Sequence, residues 1–122
     1  MERIKQFSRS LKHAFRGLAY AFRYEKNFQN EIIIAILVII AMFYFDITRA
    51  EMIALIFMIM TVLIMELINT VFERVVDILK PRIHPYAKLI KDLMAATVLI
   101  TSVVAVIIGI IIFYPYIAEK FC

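Results

Sequence analysis

Four polar residues interrupt an apolar run at helical spacing: Glu66, Asn69, Glu73 and Asp77. At 100° per residue they form one stripe along an α-helix, and Leu67, Ile68, Val71, Phe72, Val75 and Val76 fill the other faces. Glu25 and Glu31 stand just before another apolar run, and Lys91 and Asp92 just before a third. Carboxylates offer hard oxygen ligands to magnesium, which commonly keeps phosphate oxygens and waters as its other ligands. A lysine serves phosphate as a point charge. A carboxylate slightly inside a membrane could take a proton from a lipid hydroxyl. These residue types together point to phosphoryl transfer at a membrane surface without a nucleotide-binding domain. A plainer alternative stands beside each of them. Charged residues commonly flank spans, and Glu66 could be a helix–helix polar contact to Thr97 or Asn69.

The elements that must position these residues are membrane helices. Hydrophobic residues make up 64% of the 122 positions, above the globular norm of roughly 45–50%, and mean hydropathy is +0.88. A soluble domain this small would struggle to hide so much apolar surface. The two glycines, Gly17 and Gly109, are too far apart for a phosphate loop. The lone cysteine, Cys122, excludes an internal disulfide framework and a cysteine zinc site. His13 and His84 are isolated and make no metal site. Uncharged runs cover 32–45, 52–65 and 93–118. A bilayer core of ~30 Å needs about 20 helical residues. The expected spans are therefore 28–47, 50–80 with its last third emerging from the membrane, and 91–115, in a single domain over 1–122. Pro81 and Pro85 bracket a short connection, and Pro115 marks where the third span ends or bends. Entering near residue 50, the second span places Glu66 roughly 6 Å inside the far boundary. A carboxylate there is a functional-site hypothesis by default.

Charge sets the expected topology. Residues 1–26 hold seven basic side chains, and 74–91 hold five, whereas the 46–51 turn has one arginine. The positive-inside rule puts the N-terminus and second connection in the cytoplasm, and the first turn and C-terminus outside. Ile4, Phe7, Leu11, Phe15, Leu18 and Phe22 recur at steps of three or four, so residues 1–27 form an amphipathic helix. Its simplest place is the headgroup plane, with its cations on anionic membrane lipids; a nucleic acid is not the expected partner. Packing against its own bundle is the other option.

The stretches Glu66-Leu67-Ile68-Asn69-Thr70-Val71-Phe72-Glu73-Arg74-Val75-Val76-Asp77 and His84-Pro85-Tyr86-Ala87-Lys88-Leu89-Ile90-Lys91-Asp92-Leu93 resemble the prokaryotic diacylglycerol kinase family. The pattern there is E-x-x-N-[TS]-A-x-E-x-x-V-D, then A-K-D. Ser10-Leu11-Lys12-His13-Ala14-Phe15-Arg16-Gly17-Leu18 and Glu25-Lys26-Asn27-Phe28 extend the likeness over nearly the whole chain. The resemblance implies an all-α integral membrane homotrimer, with active sites shared between subunits at the inner face of the bacterial membrane. It implies an ATP- and Mg²⁺-dependent kinase for a lipid alcohol. By the same resemblance Glu66 is the general base, and Glu25 and Glu73 hold magnesium. Asn69 positions the reacting groups, and Lys91 contacts the ATP phosphates. Asp92 supports the nucleotide or that lysine, Asp77 lies near the nucleotide, and Glu31 falls at a position that varies between branches. Val71 replaces a small residue of the pattern, Phe72 an aliphatic one, and Thr97 a common alanine; these departures bear on packing or lipid choice. The connection His84-Pro85 with Ala87-Lys88, and the ending Gly109-Ile110-Ile111-Ile112-Phe113-Tyr114-Pro115, look more like the Gram-positive undecaprenol kinase branch. Undecaprenol is thus the favoured substrate and diacylglycerol the next. The competing reading is a small oligomeric transporter or channel subunit with Glu66 as an ion or proton relay. Such a protein needs Glu66 at the midplane and has no need of Glu73 and Lys91 at one interface.

Overall fold

The computed structural model describes residues 1–122, with every side chain except that of Ile83. It is all-helical: α1 spans Glu2–Tyr24, α2 Lys26–Phe45 and α3 Arg49–Phe121. The apolar stripe of α1 is exposed along its length, and Ala21 is its one buried residue among those described. Glu25 leaves the helical region with φ −101° and ψ 108°, which ends α1 and starts α2. The Gln29 amide donates to the carbonyls of Phe22 at 2.8 Å and Arg23 at 3.2 Å. It thereby satisfies carbonyls that a helix end leaves without partners and fixes the angle between the two helices.

Phe28, Ala35 and Met42 are the buried residues of α2, seven apart and so on one face. The helix stops at Asp46, in the left-handed region at φ 51° and ψ 55°. Aspartate, with asparagine, is one of the few residues other than glycine that occupy this region, because its short polar side chain can bond locally. α3 begins on a reciprocal cap. Thr48 Oγ1 accepts from the Glu51 N–H at 3.2 Å, and Glu51 Oε1 accepts from the Thr48 N–H at 3.0 Å. Thr48→Ala is expected to cost about 1 kcal/mol, the usual value of such a cap. Denaturant unfolding in micelles would read this as a lower midpoint, with activity per folded molecule unchanged.

The backbone of α3 is helical from Arg49 to Phe121, yet the helix is not straight. Tyr116 Oη donates to the Glu51 carboxylate, and Lys91 Nζ lies 2.6 Å from Asp77 Oδ1. On a straight helix these pairs would lie roughly 98 and 21 Å apart along the axis. The pairs Glu51–Tyr116 and Asp77–Lys91, and the joint burial of Leu55 with Ile112, are all centred on positions 83–84. α3 is therefore an antiparallel hairpin that reverses there. Pro81 and Pro85 flank the reversal, each lacking an N–H for the ladder. The connection that the sequence suggested between these prolines is where the chain reverses, with helical backbone on both sides of it. The third apolar helix does not stop at Pro115, because helical backbone runs through it to Phe121. A proline removes its own donor and its ring crowds the carbonyl four residues back, while the neighbouring bonds carry the helix on past it.

Lys26–Phe45, Arg49–Arg82 and His84–Phe121 are each long and apolar enough to cross a membrane. Ile33, Leu37, Ile40, Phe57, Leu99 and Ile111 are all more than half exposed. Apolar surface on this scale belongs in lipid, which makes the chain a multi-pass membrane protein. A buried apolar cluster lies at the end of the bundle that holds the α2–α3 turn. Met42, Ile47, Leu55 and Ile112 form a cluster there, with Phe45, Phe113 and Tyr116 around it. Lys120 Nζ sits 4.0 Å from the centre of the Tyr44 ring, within cation–π range.

Candidate active site

The polar stripe of α3 lies toward the other end, where α1 meets α2. Glu66, Asn69 and Thr70 are the buried polar residues, at 3%, 6% and 8% exposure. Burial of a polar side chain is costly without partners, so what each one meets matters. Thr70 Oγ1 donates to the Glu66 carbonyl at 3.0 Å. Asn69 Nδ2 donates to Glu73 Oε1 at 3.3 Å, four residues on along the same face. The Glu66 carboxylate has the Asn69 and Asn27 amides beside it, and Glu73 and Glu25 near enough to act as like charges. Glu31 faces the same group from α2. Among the described residues, Asn69 Oδ1 and Glu31 Oε2 are buried oxygens with no hydrogen-bond partner.

Glu25 reaches this cluster from the junction of α1 and α2 in the same chain. Its Oε1 lies 2.5 Å from Arg74 Nη2, and Arg74 Nε makes a long contact of 3.4 Å to Tyr20 Oη on α1. Toward the reversal, Lys91 pairs with Asp77 and so ties the two arms of α3 together. Asp92 is exposed and joins none of these contacts. Of the residues singled out from sequence, Glu25, Glu66, Asn69 and Glu73 therefore form one cluster, Asp77 and Lys91 form a second contact, and Asp92 stands outside both. Thr97 does not meet Glu66, because its hydroxyl donates to the Met94 carbonyl at 2.6 Å. Arg74, Tyr20 and Asn27 were not read as site residues. Asn27 lies inside the stretch Glu25–Phe28, and Arg74 directly follows Glu73, but adjacency says nothing of contacts across 49 residues.

A magnesium ion suits this donor set. Among the described residues no three His, Cys, Asp or Glu side chains form a closed metal cage. Magnesium rarely needs one, since it uses one or two carboxylates and takes the rest from phosphate and water. The mutually repelling carboxylates of Glu66, Glu73 and Glu25 and the unpaired oxygens of Asn69 and Glu31 are hard donors of that kind. Two apolar hollows border the cluster. One, of about 480 Å³, lies between α1 and α3, lined by Gly17, Leu18, Ala21, Leu67, Thr70 and Val71 among others. The other, of about 240 Å³, runs between α2 and both arms of α3, with Glu31 in its lining.

The family model described as prokaryotic diacylglycerol kinase matches residues 12–113. The chain belongs to the prokaryotic diacylglycerol kinase family. It is 35% identical over 112 residues to undecaprenol kinase of Bacillus subtilis (strain 168), a match that covers 92% of this chain and 91% of that one. It is 30% identical over 113 residues to diacylglycerol kinase of Escherichia coli (strain K12), covering 90% and 93%. Diacylglycerol kinase of Haemophilus influenzae is 32% identical over 106 residues, covering 86% and 90%. As a member of the prokaryotic diacylglycerol kinase family the chain is an enzyme, a kinase, and not a transporter or channel subunit.

Proposed function

We propose that this membrane lipid kinase transfers the γ-phosphate of ATP to the hydroxyl of a lipid alcohol, undecaprenol in preference to diacylglycerol. The observation that carries the reading is the buried Glu66, set among Asn69, Glu73 and Glu25 at one end of a bundle of apolar helices. A carboxylate at that depth is expensive in a membrane and marks a functional site.

In the proposed reaction Glu66 accepts the proton of the lipid hydroxyl as its oxygen forms a bond to the γ-phosphorus. The bond from that phosphorus to the β–γ bridging oxygen breaks, and ADP leaves. Glu25 and Glu73 would hold Mg²⁺, which neutralises charge on the phosphates. Asn69 orients Glu73 through its amide and has a free oxygen for a reacting group. Lys91 contacts the nucleotide phosphates, held in place by Asp77, and Asp92 supports the nucleotide from the adjacent position. Most of the rate enhancement then comes from positioning and charge neutralisation.

The reaction takes place at the cytoplasmic face of the bacterial inner membrane, with the N-terminus inside and the C-terminus outside. α1 lies in the headgroup plane, which is where its exposed apolar stripe and basic residues are both satisfied. The working form is a homotrimer with sites shared between subunits. The preference for undecaprenol rests on the loop and tail motifs, and on the likeness to the Bacillus subtilis protein. Purified full-length chain in mixed micelles, given Mg-ATP and each lipid separately, is expected to show a several-fold higher kcat/KM with undecaprenol. A higher value with diacylglycerol would reverse the substrate order. Folded, trimeric protein that phosphorylates neither lipid would overturn the reading.

A further inference from the structure

Arg74 has no role in the mechanism above, yet its guanidinium pairs directly with a carboxylate of the cluster. It is anchored on two sides, by Glu25 Oε1 at 2.5 Å and by Tyr20 Oη at 3.4 Å. Tyr20 is itself braced, with its ring centre 5.1 Å from that of Tyr24. Glu25 is only 14% exposed in its side chain, whereas that of Arg74 is 48% exposed. The anchor is thus the more enclosed partner, and the guanidinium is the half that ligand can reach.

An arginine carries five N–H donors. The Nε hydrogen goes to Tyr20 and one on Nη2 to Glu25, which leaves three unspent. A planar fork with free donors matches a phosphate bidentately, in a way a lysine cannot. Its charge also lies close enough to Glu25 and Glu73 to attract both carboxylates. Fixing the guanidinium on Glu25 and Tyr20 removes side-chain freedom that binding would otherwise have to quench.

We propose that Arg74 is a phosphate-binding residue of the transfer site, pre-set by Glu25 and Tyr20 to hold the phosphoryl group that passes from nucleotide to lipid. This rests on the kinase reading above. The same group is the γ-phosphate before transfer and the lipid phosphate after it, so both sources present one chemistry.

The test measures binding to the full-length chain in micelles by calorimetry, with a non-hydrolysable Mg-ATP analogue and with Mg-ADP. Inhibition by the phosphorylated lipid product is measured alongside. Arg74→Ala is expected to weaken the triphosphate analogue roughly ten- to hundredfold, the scale of a charge-assisted hydrogen-bond pair, and to leave ADP nearly unchanged. Arg74→Lys keeps the charge without the fork and is expected to recover only part of the loss. Tyr20→Phe loosens the anchor, so a few-fold loss of the same kind should follow even where the alanine variant folds poorly. Weakened product inhibition alone would assign Arg74 to the lipid phosphate, and weakened analogue binding alone would assign it to the nucleotide; either supports the proposal. Equal losses for ADP and analogue, or none for analogue and product in folded variants, would overturn it. Wild-type chain that transfers phosphate while Arg74→Ala binds normally removes Arg74 alone; wild-type chain that phosphorylates no lipid alcohol removes the reading beneath it.

Discussion

Glu66→Gln is expected to lower kcat by about 10²–10⁴-fold, the usual worth of a positioned acid–base group. The substitution is nearly isosteric. It keeps an oxygen for the neighbouring amides of Asn69 and Asn27, and it removes a negative charge from a site of 3% exposure. Desolvation of that charge opposes folding, so the variant should unfold no more readily than wild type. Activity and stability are thereby separated: a catalytic base predicts lost turnover with intact folding. Phosphorylated lipid measured beside thermal unfolding in the same micelles gives both numbers. Turnover within tenfold of wild type would reduce Glu66 to a polar contact between helices.

Glu73→Gln is expected to cost roughly a hundredfold in kcat/KM at ordinary magnesium, the scale of losing several kcal/mol of charge stabilisation at the transferring phosphate. Here the loss should be partly recoverable. The glutamine still offers an oxygen to Asn69, which donates to Glu73 Oε1 at 3.3 Å, so the local geometry persists while a metal ligand becomes neutral. Raising Mg²⁺ should restore much of the activity, and the half-saturating concentration should rise about tenfold or more. The Glu66 variant should gain nothing from added Mg²⁺. A Glu73 variant with unchanged magnesium dependence would take this residue out of the metal site.

What a sequence displays depends on the distance over which an interaction acts. The stripe of Glu66, Asn69 and Glu73 belongs to one helix, where spacing converts directly into angle, so it was visible before any tertiary contact was known. So were the three apolar helices, whose composition follows from the solvent they face. The reversal was half visible: Pro81 and Pro85 signalled a break, but whether helical bonding would persist beside it depends on the arms pressing together, through Leu55 and Ile112 at one end and Asp77 and Lys91 at the other. The Arg74–Glu25 pair was not visible, because it joins residues 49 apart through an angle between α1 and α2 that the Gln29 side chain helps fix. For the same reason Thr97 was a reasonable partner for Glu66 on paper. Its hydroxyl turned inward to its own helix, a local option that serine and threonine hold wherever a carbonyl lies one turn back.

The cap at Thr48 gives α3 a fixed origin, and a helix of fixed rise makes everything beyond it a matter of length. Glu66 lies about 27 Å along the axis from that origin, close to the ~30 Å of a bilayer's hydrocarbon core. In the proposed orientation α3 acts as a ruler laid across the membrane, with its zero at the outer surface and the reacting carboxylate marked near the inner one. A thinner bilayer lifts that mark toward water, and a thicker one draws it into hydrocarbon unless the helices tilt. In that orientation the placement of one carboxylate would couple turnover to the thickness of the medium that holds the substrate.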